Sequence, residues 1–555
     1  MAQALRVPLI RRSSPSGPSG QRWRRSAAWL AALPVLLILG PLLPGLYWAL
    51  SPSLDLAVWR GLWADAQWPQ ALRATLLSAG LGSALGVALA AGLATALYPG
   101  PRWLALQRRL PLLLSVPHAA FAVGLFFLLS PSGWLARAVA PLAGWLEPPQ
   151  WTTVQDPFAL SLALALGLKE CWFLLWVLMA VLGEQTVRRH MVVARSLGYN
   201  RAQTWRLVLW PQLLPRLGWP LAAVLAYGLS VVDMAVVLGP STPPTLAVLV
   251  WQWLTDPDAA MQAKGAAASL VLLAMFLLMA GAARWAWRLV VRRLAYPPGE
   301  RQPAAPPSRL GLHQPLLLVG YAVVAVLLLW SLADTWFFPA LWPDALSLRT
   351  WLQADWAPFW TTLWLAGAAT LLCLPATLVW LEWGPQRFNA LLYVPLIIPA
   401  LPLVAAQYAA LLRLQHDGTA AGLVWSHLLW VLPYMVLTLI GPCRAFDRRL
   451  MTTARALGQS PLGACLRVKW PMLIKPIVSA LAVGFAVSVA QYLPTLFAGG
   501  GRFVTVTTEA VALSAGGNRR VLAVQALLQI VLPLLGFGLA GLISLWAGRC
   551  RKGLR

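Results

Sequence analysis

The chain has 555 residues, is 59% hydrophobic and only 11% charged, and has a mean hydropathy of +0.68. Soluble domains carry roughly 25% charged residues, so a water-solvated globular surface is excluded and the class is a polytopic membrane protein. The formal charge of +26 is spread as arginines over short loops between apolar runs, which excludes the basic groove of a nucleic-acid-binding protein.

In chain order, a basic tail (1–26, with Arg6, Arg11, Arg12, Arg22, Arg24 and Arg25) precedes an apolar run from Ala27 to Leu50. That run is longer than a cleaved signal core and reads as a retained first span. Apolar runs of about 20 residues, each long enough to cross a bilayer as a helix, then recur through the chain. The expected spans are 27–49, 71–97, 110–130, 158–182, 217–239 and 265–287, then 314–333, 357–381, 389–412, 421–441, 476–498 and 521–546. Prolines interrupt the third and ninth. The expected fold is all-α, with about twelve transmembrane helices.

Loop charges set the expected orientation. Arg102, Arg108 and Arg109, then Arg284, Arg288, Arg292 and Arg293, then Arg549, Arg551, Lys552 and Arg555 fall on one side of this count. The opposite loops carry mostly Asp, at positions 55, 65, 256, 258, 334 and 344, with Arg519 and Arg520 as exceptions. The asymmetry places both termini in the cytoplasm. Between the halves, 297–315 reads PPGERQPAAPPSRLGLHQP, too rich in proline to continue a helix. Six spans per half give both halves the same orientation, so the repeat is parallel rather than inverted.

One loop occurs twice. RRHMVVARSLGYNRAQTWRLVLWPQLLP begins at Arg188 and RRLMTTARALGQSPLGACLRVKWPMLIKP begins at Arg448. With Gly198 set on Gly458, Arg188, Arg189, Ala194, Trp210 and Pro211 match Arg448, Arg449, Ala454, Trp470 and Pro471 without a gap. A few turns of amphipathic helix, a glycine where the chain must turn, a second short helix carrying Trp205, and a proline where a new helix starts make a unit suited to fit a groove on a partner. Repetition of such a unit at equivalent positions is the strongest signal in the chain.

These loops resemble the EAA motif of binding-protein-dependent ABC permeases. Two copies in one polypeptide are similar to the fused permeases of thiamine and ferric-iron uptake. Where that motif has Glu-Ala-Ala this chain has Val192-Val193-Ala194 and Thr452-Thr453-Ala454, and tryptophan replaces the leucine before each proline. The doubled arginines either supply another charged contact or only follow the inside-positive bias. The resemblance implies two tandem permease domains (27–296 and 316–547) joined by the 297–315 linker, with a basic tail at 548–555. It also implies an ATPase homodimer under the loops, an extracytoplasmic solute-binding protein, and a bacterial inner-membrane location.

The chain lacks GxxxxGK[ST], HExxH, a nucleophile elbow or a paired-carboxylate constellation. No cofactor is expected on this chain, ATP hydrolysis is assigned to the partner, and an integral-membrane enzyme is disfavoured. An ion- or proton-coupled secondary transporter is the main alternative. Five cysteines show no metal spacing and read as free thiols, and no metal site is expected.

Ionisable and polar residues inside spans are costly and mark candidate path positions: Lys169 and Glu170, Asp233, Gln407 and Tyr408, and Gln491 and Tyr492. Adjacent helical residues point about 100° apart, so Lys169 and Glu170 need not pair. His118 reads as a packing residue, and the tryptophans read as an interfacial belt. The substrate stays open among thiamine, iron, an oxyanion and a polyamine.

Overall fold

The computed structural model describes residues 18–294 and 313–549. The tails expected at 1–26 and 548–555 and the linker expected at 297–315 lie mostly outside the described residues. Among the described residues every regular element is helical, apart from one isolated antiparallel bridge between Ala333 and Leu346.

Nine of these helices are long and apolar enough to cross a bilayer, or eleven when two sharply bent pairs each count as one span. The expected spans that fall short of this test do so for local reasons, and one of them is present as a shorter apolar helix. The expected span 217–239 stops as Gly218–Ser230; Val231 is extended, and a six-residue helix, Asp233–Leu238, follows. Two consecutive β-branched valines are weak helix formers, and an aspartate is favoured at a helix start. The expected span 476–498 breaks in the same way, into Ile474–Val489 and Leu493–Gly499, with Pro494 in the first turn of the second piece.

Proline accounts for the other two interruptions. Pro101–Leu114 ends at Ser115, and His118–Leu129 begins after Pro117, which has no N–H to continue a ladder. In the second half, Gln386–Ile397 and Ala400–Leu414 meet at 103° around Pro399.

Helices in lipid associate through close packing rather than a hydrophobic force, so small residues mark the tightest contacts. Trp68–Leu97 buries Ala71, Ala74, Thr75, Ser78, Gly82, Gly86 and Ala90 on one stripe and lies along Leu160–Leu182. A methyl group at Gly82 would come within 2.9 Å of Leu166 Cβ, so the two backbones touch almost directly.

The halves also exchange their first helices. Pro18–Leu39 and Leu42–Leu50 pack against Ala357–Trp383 and Ala400–Leu414, while His313–Leu332 packs against His118–Leu129 as well as Arg519–Arg549. The Trp425 indole donates to Leu37 O at 3.1 Å across this contact. The two halves are therefore clasped from both sides.

At the end of the bundle away from the Gly198 and Gly458 loops, Arg137 is 2% exposed and bridges the halves. It donates to Ser132 O at 3.0 Å, Phe337 O at 2.7 Å and Ala340 O at 2.8 Å, and lies 4.7 Å from the Trp336 ring. Arg519 donates to Ser132 Oγ at 2.8 Å and stacks on Trp330, and Arg520 pairs with Asp334 at 3.4 Å. The two arginines that break the loop-charge asymmetry are thus held by structural contacts.

Candidate functional site: the paired loops and the mid-depth polar cluster

Both loops adopt one backbone design. Gln185–Ser196 and Arg448–Ala456 end at Gly198 and Gly458, with φ of +88° and +85°. The amides of Gly198 and Tyr199 donate back to Arg195 O and Ala194 O at 3.0 and 3.1 Å; those of Gly458 and Gln459 donate to Arg455 O and Ala454 O, both at 3.1 Å. This is the Schellman closure, which needs a left-handed residue after the last helical turn. Ala194 and Ala454 are buried beneath the turn, where a larger side chain would push it away.

A capped second helix follows in each copy. The Asn200 side chain accepts from Gln203 N at 2.8 Å, and the Ser460 hydroxyl accepts from Gly463 N at 3.0 Å. Each helix then widens into a π-helical turn, Thr204–Leu209 and Cys465–Lys469, before Trp210-Pro211 and Trp470-Pro471. The short helix expected at 201–209 is therefore mostly π-helix, a form frequent at functional sites.

The loops are anchored by different chemistry. Trp205 is buried, with ring centroids 6.2 Å from Tyr98 and 5.4 Å from Trp210. Arg201 donates to Thr95 O at 3.0 Å and Tyr98 O at 2.9 Å; burial, with Arg195 nearby, pulls its guanidinium below the ordinary range. In the second copy Cys465 stands where Trp205 does, and Lys469 pairs with Glu382 at the end of Ala357–Trp383.

The outward face of both loops is apolar and basic. Val192 is 62% and Leu457 78% exposed, with Val193, Leu197, Leu462 and Leu466 exposed beside them. Arg188, Arg189, Arg448 and Arg449 are exposed around these residues. Grouped exposed apolar residues rimmed by charge mark an interaction surface.

A second cluster lies mid-way along the helices. Lys169 and Glu170 point to different partners. The Lys169 ammonium donates to Leu113 O at 3.2 Å and to Val116 O, and lies 5.3 Å from the Trp172 ring. It caps the carbonyl end of Pro101–Leu114, which Pro117 leaves without amide donors. Glu170, 6% exposed, meets His118 Nε2 at 3.3 Å. The His118 ring lies 4.6 Å from Tyr227, whose hydroxyl donates to Asp233 at 3.5 Å. Asp233 is 8% exposed, at the start of the helix after the break. Tyr434 is within electrostatic range of Glu170, and Tyr492 of Asp233.

The remaining path candidates divide. Tyr492 faces Trp251 at 6.4 Å and joins this cluster. Gln491 donates to Val487 O at 3.3 Å, one turn back at the helix break. Gln407 is fixed between helices, donating to Ser426 O at 3.0 Å and accepting from Trp430 at 3.2 Å. Tyr408 packs edge-on to Phe497 at 5.3 Å.

The sequence reading took His118 as a packing residue and did not single out Tyr227 or Trp251. The available signal for His118 was Pro117, since a helix broken at mid-depth exposes its next residue to whatever faces the break. No group of three or more His, Cys, Asp or Glu positioned for a metal occurs among the described residues, and the four described cysteines are free, with Cys550 outside them.

No family profile matches the chain. It is 42% identical over 527 residues to the inner membrane ABC transporter permease protein YnjC of Escherichia coli (strain K12), covering 94% of this chain and 97% of that protein. It is 26% identical over 548 residues to the thiamine transport system permease protein ThiP of Salmonella typhimurium, covering 91% and 93% of the two chains. A shorter match, 22% over 161 residues, covers 29% of this chain and 63% of the spermidine/putrescine transport system permease protein PotC of Haemophilus influenzae. The near full-length relationship to YnjC, together with the paired loops and the apolar helical bundle, establishes that the chain belongs to the ABC transporter permeases.

Proposed function

We propose that the chain is the translocation subunit of an ATP-driven importer. It passes a small solute, received from an extracytoplasmic solute-binding protein, between its two halves, and it is driven by a separate ATPase dimer. Both termini and both paired loops face the cytoplasm, in a bacterial inner membrane.

The observation that carries this reading is the duplicated loop design. Two Schellman turns at Gly198 and Gly458, each followed by a capped helix with a π-turn, repeat one backbone design, with an exposed leucine at the same place in each, Leu197 and Leu457. Two copies of one design suit two equal ATPase subunits. Val192 and Thr452 stand where the motif's acidic residue is expected, with exposed aliphatics and arginines around them, so the contact is uncharged at its centre and cationic at its rim. The matching groove on the ATPase is then apolar with carboxylates around it. Loops transmit work only if they dock differently in two states of the partner; their anchors on Trp68–Leu97 and Ala357–Trp383 carry the movement into each half.

The test is uptake in cells or proteoliposomes with and without a candidate partner ATPase. Uptake that requires such an ATPase and its hydrolysis, and fails when Gly198 and Gly458 are made bulky, supports the reading. Uptake without any ATPase, driven by an ion gradient, replaces it with a secondary transporter.

A further inference from the structure

We infer that the first paired loop carries a site for an anionic phospholipid, whose acyl chain fills a cavity among first-half helices and whose phosphate meets Arg206. Such a site goes beyond transport itself and needs only the membrane setting.

A cavity of about 300 Å³ lies beside the π-helical turn Thr204–Leu209. Its walls include Ala91 of Trp68–Leu97, Leu174 and Leu178 of Leu160–Leu182, Leu221 of Gly218–Ser230, and Trp287 of Ala259–Leu294. That volume is enough to hold a small organic group, and an apolar cavity stays dry. Hydrocarbon is therefore its natural filling. Among the described residues all of its lining comes from the first half, so it stands apart from a path between the halves.

Depth and exposure fit a lipid entering from the side. Ala91 lies less than two turns from Leu97, about 9 Å by the helical rise, which is within one leaflet. Leu174 and Leu178 are buried, Leu221 and Trp287 are half-buried, and Arg206 is exposed, so the cavity opens outward with the charge at its rim. On the helix of Trp287, Leu277, Leu278 and Trp285 are exposed apolar residues, as a lipid-facing surface requires.

Charge selects the headgroup. Among the described residues Arg206 is the one charged residue lining the cavity, and its side chain has no ion pair or hydrogen bond there. Its neighbours are engaged: Arg201 with Thr95 O and Tyr98 O, and Arg216 with Glu184 at 2.6 Å. A guanidinium matches phosphate oxygens two at a time, and basic pockets between spans suit anionic headgroups. Trp210 and Trp287 also line the cavity, and indoles favour the boundary between headgroups and chains. In the second loop Leu466 aligns with Arg206, so the site belongs to the first loop alone. There the lipid braces the π-turn, as the Lys469–Glu382 pair braces its counterpart.

The test places the full chain in phosphatidylcholine nanodiscs with a trace of probe lipid carrying a diazirine on one acyl chain. The probe headgroup is either phosphatidylglycerol or phosphatidylcholine, and labelled peptides are mapped by mass spectrometry after irradiation. The phosphatidylglycerol probe should label 174–178 and 214–221 about tenfold more than the phosphatidylcholine probe, the order of one charge-assisted contact. Both should label 277–278 alike, and an unchanged signal there reports that a variant has kept its fold. Arg206→Gln should remove the preference, Arg206→Lys should keep most of it, and Ala91→Phe should reduce labelling of the cavity by both probes. Equal labelling of 174–178 by the two probes overturns the site, as does a preference that survives Arg206→Gln. Labelling that Ala91→Phe leaves unchanged also overturns it, and loss of the preference in excess inorganic phosphate would replace the lipid with a free anion.

Discussion

Lys469 in the second loop is ion-paired with Glu382 at the end of Ala357–Trp383, and both side chains are largely shielded from solvent. Removing one partner leaves the other shielded and uncompensated. Glu382→Gln or Lys469→Met should lower stability by about 1–3 kcal/mol, read as an earlier thermal transition in detergent. Glu382→Leu combined with Lys469→Leu should recover most of that loss, because the pair is then replaced by apolar packing. A double variant as unstable as the sum of its parts would show that the pair is not one unit.

Gly458 isolates the role of backbone conformation, because a side chain placed there meets nothing within 4 Å, while its φ of +85° disfavours any branched residue. Gly458→Val should cost about 1–2 kcal/mol at the turn and cut ATPase-dependent uptake severalfold with the chain still inserted. Gly458→Asn, which tolerates the left-handed region, should retain most uptake. Equal uptake by both variants would show that the turn geometry is dispensable.

Arg137 should be among the most sensitive positions at the opposite end of the bundle. Its guanidinium serves carbonyls of both halves, at Ser132, Phe337 and Ala340. Arg137→Met leaves those acceptors buried without a donor, at a cost of about 2–4 kcal/mol. Lysine presents a point charge instead of a planar fork, so Arg137→Lys should rescue little. Thermal unfolding of the purified chain reads both, and full rescue by lysine would show that the charge alone matters.

Asp65 gives a pH dependence with a definite sign. Burial raises its pKa, but the hydrogen bond from Lys264, the amides of Gln67 and Trp68 and the Lys264 charge outweigh that, so the value falls below the ordinary 3.8. A carboxyl whose folded pKa is depressed adds stability above its unfolded pKa and loses it as pH falls through the folded value. Unfolding measured from pH 6 downward should therefore show a loss below 3.8 that Asp65→Asn lacks. An identical acid limb in both proteins would place the titration elsewhere.

Much of the paired-loop design was legible in the sequence because its features are backbone requirements. A left-handed turn selects Gly198 and Gly458, a tight closure selects Ala194 and Ala454, and a helix start accepts Pro211 and Pro471. The differing anchors were not legible: Trp205 finds Tyr98, and Lys469 finds Glu382, 87 residues away. The helix breaks at Val231 and Ala490 were also missed, since hydropathy reads straight through them.

By itself the sequence determined that the chain lives in a membrane, that its loop is duplicated, and where that loop must turn. Those properties follow from local composition and φ preferences. Only the tertiary structure decided that Lys169 turns to helix-end carbonyls while Glu170 reaches His118, that Tyr227 reaches Asp233, and that the halves exchange their first helices. In a bilayer nearly every face of a helix is apolar, so there is little hydrophobic period to say which face meets which. The choice falls to small-residue packing and to the few polar groups that must find partners.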